Sequence, residues 1–160
     1  MFVFKILEKD VKLFMQKLLR EETFFDFEVR GVEVSMLTKF EINGALDRDF
    51  LPNADPSVPA ERRYCLWREL QPYVFFIIKG GKRPKSLKII FSLPQEKTAE
   101  LHSNASAYFL NISFENNEVL CTTASSEKNF AMDKTVDYIW EDYIKEFFGK
   151  NGVPITIIEP

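Results

Sequence analysis

The chain has 160 residues, of which 46% are hydrophobic and 28% charged, enough apolar surface for one folded core and too much for a disordered segment. A net charge of −3 gives no bulk attraction to nucleic acid or to an acidic membrane. Cys65 and Cys121 lie far apart without metal-ligand spacing, no apolar run reaches membrane-span length, and the start lacks a signal-peptide pattern; a reduced, cytoplasmic setting is expected.

Residues 1–7 read as a short strand. Residues 10–20 read as a helix, because Val11, Phe14, Met15, Leu18 and Leu19 recur at steps of three and four. Its outer face holds Lys9, Lys12, Gln16, Lys17 and Arg20, which suits either plain solvation or a phosphate backbone. From Phe24 the apolar period becomes two. Phe25, Phe27 and Val29 share one parity, whereas Val32, Val34 and Met36 share the other, so a bulge or turn is required at Arg30-Gly31. Phe40, Ile42 and Leu46 continue a second strand that ends near Gly44–Phe50. Residues 51–60 hold three prolines and no periodicity, the composition of a long loop.

Residues 61–78 have a helical pattern interrupted by Pro72, which predicts a kink or a second helix starting there. Gly80-Gly81 is the expected stop. Leu87, Ile89, Phe91 and Leu93 then alternate with Lys88, Ile90 and Ser92, as in a strand with one apolar face. Pro94 suits the opening of a short helix over 95–102. Tyr108, Leu110, Ile112 and Phe114 form another alternating strand, and Asn116-Asn117 is a two-residue hairpin turn. That turn sets Val119 opposite Phe114 and Cys121 opposite Ile112. Residues 133–148 give the clearest helix, ended by Gly149 and Gly152, and 153–159 a closing strand.

The order strand, helix, hairpin, helix thus occurs twice before the last strand. A single α+β domain over 1–160 is expected, with an antiparallel-rich sheet and a pseudo-two-fold duplication of half-units 1–84 and 85–160.

Features that lean functional concentrate between Trp67 and Leu93. Lys79, Lys82, Arg83, Lys85 and Lys88 cluster with no acid between 70 and 95, while the rest of the chain carries 16 basic and 24 acidic side chains. The Gly80-Gly81 pair follows a helix end, so it does not read as a nucleotide-phosphate loop. The basic loop suits a phosphate backbone or an acidic partner, or simply solvates the turn and meets the helix C-terminal dipole. Trp67, Tyr73, Phe75 and Phe76 exceed what one helical stripe buries, so that helix is either central or meets a partner or a second copy. Asp47-Arg48-Asp49 offers paired carboxylates but reads as a surface turn, and His102, the sole histidine, as a helix cap. No cofactor or metal motif is present in the sequence.

Two resemblances add to this. The words Leu66-Trp67-Arg68-Glu69-Leu70-Gln71-Pro72-Tyr73, Ile78-Lys79-Gly80-Gly81-Lys82-Arg83-Pro84 and Ser86-Leu87-Lys88-Ile89 resemble an uncharacterised bacterial family classed as a domain of unknown function. That resemblance implies no activity. The order of the first strand, basic helix and hairpin, and again of Leu87–Leu93, short helix and hairpin, looks like one domain of a DNA sliding clamp. The last helix departs from that pattern, since its polar side holds Asp133, Asp137, Glu141, Asp142 and Glu146. The first expectation is therefore a non-enzymatic binding or interaction module. It would use Trp67, Tyr73 and the basic residues Lys79, Lys82, Arg83, Lys85 and Lys88, with a protein partner or a second copy. The alternatives are a clamp-like nucleic-acid-associated protein, with Lys12, Lys17 and Arg20 joining the basic loop, and an enzyme with a polar site near Asp47, Asp49 and His102.

Overall fold

A computed structural model describes residues 1–50, 57–79 and 83–158. Seven strands form one antiparallel sheet, and among the described residues four helices accompany it. The strands are β1 (Val3–Ile6), β2 (Glu28–Ser35), β3 (Lys39–Asn43), β4 (Ser86–Ser92), β5 (Ala105–Glu115), β6 (Glu118–Glu127) and β7 (Thr156–Ile158). The helices are α1 (Glu8–Arg20), α2 (Trp67–Ile78), α3 (Gln95–Leu101) and α4 (Thr135–Lys150). The sheet order is β3-β2-β4-β5-β6-β1-β7.

Alternation decides which face is buried. Leu87, Ile89 and Phe91 of β4 align with Phe114, Ile112 and Leu110 of β5, and those with Val119, Cys121 and Thr123 of β6; all are buried. Rings from the helices close over this face. Trp67 of α2 meets Phe91 edge-on, Trp140 of α4 stacks on Tyr108, and Phe148 packs between Phe4 and Phe14. Phe24 and Phe27, in the turns before β2, stack on Phe91 from the same side. The abundance of phenylalanine is thereby largely a packing fact, each buried ring adding about 1.5–3 kcal/mol. Burial also pushes the Cys121 thiol well above its ordinary range, so it is a core residue and not a nucleophile. The opposite face stays open, where Lys88, Ile90 and Asn111 line a shallow concavity of about 600 Å³.

The parity switch at Arg30-Gly31 is a β-bulge: Val29 pairs with Phe91 and Gly31 with Ile90, so Arg30 is the extra residue. The Asn116-Asn117 turn has both φ values positive, 53° and 61°, and β5–β6 takes the expected register. Three expectations need correction. Residues 61–66 are not helical; Tyr64 bridges Ala45 and Leu66 bridges Glu28 in extended backbone. Pro72 neither breaks nor restarts α2, which runs through it. Leu46 lies beyond β3, which ends at Asn43. The expected stop at Gly80-Gly81 and most of the 51–60 loop lie outside the described residues. The strand pairing also does not repeat with the element order. β4 pairs with β2 and with the hairpin strand β5 that follows it, whereas β1 pairs with β6 and β7 and not with β2.

Tyr108 is fully buried, yet among the described residues its hydroxyl has no hydrogen-bond partner. Burial, followed by the carboxylates of Asp137 and Glu127, pushes its pKa up. Tyr108→Phe keeps the stacking on Trp140 and removes the unpaired hydroxyl. Stability should stay level or rise by about 1 kcal/mol, read from the urea midpoint. A clear loss would mean that the hydroxyl is satisfied in solution.

Candidate functional site

The outer side of α2 carries an exposed aromatic surface, one of the two alternatives that the sequence left open, and it does not include all the residues named there. Glu69, in the first turn, accepts the Leu66 N–H at 2.8 Å and is gripped through both oxygens by Arg62 at 2.9 Å. This fixes where the helix begins. One side of α2 is then locked onto α1. Trp67 Nε1 and Gln71 Nε2 both donate to the Leu18 carbonyl, at 2.8 and 2.9 Å, and Gln71 also donates to the Glu21 carbonyl at 2.8 Å. Trp67 is therefore removed from the list of contact residues: it is 0% exposed and belongs to the core. The opposite side presents Tyr73 and Phe76, neighbours at i and i+3, 67% and 69% exposed. Lys79 Nζ lies 5.2 Å from the Phe76 ring centre, and the Arg20 guanidinium of α1 lies 5.6 Å from that of Phe75.

A second constellation sits on the open side of the sheet. The bulge turns Arg30 toward the segment before α2. Its guanidinium lies 3.9 Å from the Tyr64 ring centre and 5.0 Å from that of Phe109. It donates to Ser92 Oγ at 3.0 Å and to Tyr64 Oη at 2.9 Å. Glu28, two residues earlier and 7% exposed, faces the same cleft of about 570 Å³. Burial holds its carboxyl above the usual carboxylate range, with Arg30 and Arg62 pulling the other way. Cys65 lies beside this region, but burial and then Glu69 raise its thiol pKa, so it is not an activated nucleophile.

The family model for a family of unknown function, DUF5721, matches residues 17–155. The chain belongs to DUF5721. The match takes in all of α2 and every residue of the cleft, as well as the sequence words that resembled an uncharacterised family. No curated protein and no solved structure matches the chain.

In this DUF5721 member the basic residues picked out from sequence that the structure describes sit on different elements. Arg83 donates to Asn117 Oδ1 at 3.0 Å, at the β5–β6 turn. Lys88 points from β4 to the open face, paired across the sheet with Glu33 and Ser113. Lys85 is exposed just before β4, and Lys82 lies outside the described residues. On α1, Lys12 is exposed and Lys17 pairs with Glu21 at 3.7 Å. Asp47 Oδ1 accepts the N–H groups of Asp49 and Phe50, at 3.1 and 3.2 Å, which is the expected surface turn. His102 Nδ1 accepts the Asn104 N–H at 2.9 Å. Among the described residues, no hydrogen bond or ion pair joins Asp47 or Asp49 to His102.

Sequence reading missed two sets of residues. The β6–α4 loop exposes Phe130 and Met132 almost fully, on backbone that Asn104 holds through Asn129. Two large apolar side chains between Lys128 and Asp133, with Ala131 between them, break the polar composition of a loop, and that was their signal. Glu28, Arg30, Arg62 and Tyr64 had only the parity switch at Arg30 to announce them.

Proposed function

We propose that this DUF5721 chain is a non-enzymatic binding module that meets a protein partner through the exposed side of α2. The observation that carries this reading is the Tyr73–Phe76 pair, two large aromatic side chains held outward on a helix whose other side is bonded to α1. Rigid aromatic groups lose little conformational entropy on binding and dominate interface energetics. Single exposed apolar residues are ordinary on any surface; two on adjacent turns, with Lys79 over one of them, make a small platform. A photo-crosslinking residue at position 76 should give one discrete protein adduct, reduced at least tenfold by Tyr73→Asp. Adducts formed only from position 130 would move the interface to the β6–α4 loop and end the α2 reading.

A nucleic-acid partner is the second reading, favoured by Arg20 and Lys79 standing over aromatic rings at this surface. Stacking on aromatic side chains beside cations is how single strands are held without sequence preference. Affinity for a single-stranded oligonucleotide should then fall steeply and log-linearly with salt. No binding at low salt would remove that reading and leave the protein interface.

A further inference from the structure

The back-face cleft is separate from α2's exposed side and carries its own evidence. Its central feature is Glu28. The residue is more than nine-tenths buried, lines the cleft, and among the described residues no hydrogen bond or ion pair reaches its carboxylate. Its carboxylate oxygens are not sealed off but open to the cleft, where an entering donor can replace water. The donors that could meet it are directed elsewhere. Arg30 is clamped between Tyr64 and Phe109 and donates to Ser92 and Tyr64. Arg62 is drawn toward Glu69, and its Nε is buried with no acceptor. The cleft thus holds a carboxylate without a protein donor beside an Arg62 guanidinium that is paired with Glu69 but whose Nε, among the described residues, has no acceptor. Its exposed mouth adds Arg63, which makes no side-chain hydrogen bond or ion pair among the described residues.

Charge and shape narrow what fits. Arg30, Arg62 and Arg63 line the cleft together with Glu28, Glu61 and Glu96, so neither sign is in excess. A simple anion would leave Glu28 unmet, and a simple cation would leave the guanidinium donors unmet. The remaining wall includes Leu66, Leu93, Pro94 and Ala107, which suit an apolar body. At about 570 Å³ the space falls within the range of small-molecule sites. We propose that this cleft binds a zwitterion with an apolar side chain, an amino acid or short peptide, its ammonium on Glu28 and its carboxylate on the arginines. The bulge at Arg30 supports the assignment, since bulges commonly re-aim side chains beside functional sites.

Calorimetric titration of the full chain tests this with four probes: leucine, leucyl-leucine, 4-methylpentanoate and 3-methylbutylamine. The last two keep the leucine body and carry one charge each. Leucine or its dipeptide should bind saturably, and both single-charge analogues should bind at least about tenfold more weakly, as expected when one charged hydrogen-bonded contact is lost. Glu28→Gln should weaken the zwitterion by about tenfold to a hundredfold. Arg63→Ala, at the exposed mouth and neutral for folding, should also weaken it and keeps the test open if Glu28→Gln folds poorly. The proposal is overturned if no zwitterion binds at millimolar concentration, if the single-charge analogues bind equally well, or if both variants bind leucine as the parent does.

Discussion

Trp67→Ala is expected to lower stability by about 3–5 kcal/mol, the range for deleting a buried tryptophan or phenylalanine side chain. The indole is wholly buried, sits edge-on to Phe91 with ring centres 5.3 Å apart, and donates to Leu18 at 2.8 Å. Removing it would open a cavity where α1, α2 and the sheet meet. Trp67→Phe separates the terms. It keeps a ring against Phe91 and loses the indole N–H, but the Leu18 carbonyl still receives Gln71 at 2.9 Å. The cost should fall to about 1–2 kcal/mol. Urea denaturation of the three proteins checks both values. An alanine variant with the parent midpoint would mean that α2 is not docked as described. The same placement settles how Trp67 variants are to be used: any loss of binding they show reports on folding, and only Tyr73 and Phe76 probe the surface.

What the sequence revealed was local. Steps of three and four marked α1 and α4, alternation marked β4, β5 and β6, and two asparagines marked a turn whose register came out as read. Even the bulge at Arg30 was visible, because a parity change admits few geometries. The failures share a cause as well. Residues 61–66 carry a helix-like mix of side chains, but Tyr64 and Leu66 are held extended by bridges to Ala45 and Glu28, far away in sequence; tertiary pairing overrode propensity. Pro72 was expected to kink α2 or to start a second helix, and a single helix runs through it. The proline is exposed in the helix's first half, so the carbonyl of Arg68 that it leaves without a donor also lies at an exposed residue and can turn to water. Sequence alone left open whether the crowded helix is central or meets a partner, and grouped Trp67 with Tyr73 as contact residues; the docking of α1 buries Trp67. The cleft was illegible for the strongest reason: it joins Glu28 and Arg30 to residues near 62, 94 and 106, and no period or motif links them.

Gly44→Ala is expected to cost about 3 kcal/mol or more, at the upper end for forcing atoms into a packed site. A Cβ at this position would lie 1.7 Å from the Val29 carbonyl oxygen and 2.6 Å from its carbon. These are backbone atoms of the bulged strand, so no side chain can swing aside. The site is also tied on both sides. Gly44 N donates to the Arg30 carbonyl at 3.1 Å, and its own carbonyl accepts the Cys65 N–H at 2.8 Å. Glycine is thus required for close approach, not for an unusual φ. Relief of the clash would have to move the bulge, the segment at Cys65, or both. Either shift displaces Arg30 relative to Tyr64, so the variant should lose leucine binding in the cleft as well as stability, while adduct formation from position 76 persists under conditions where the variant is folded. Thermal denaturation and calorimetry of Gly44→Ala measure the two effects separately. A variant that keeps the parent melting temperature would show that the backbone at Gly44 does not press against the bulge at Val29 and Arg30. Stability lost with leucine affinity unchanged would show that the cleft tolerates movement of the backbone that carries Arg30.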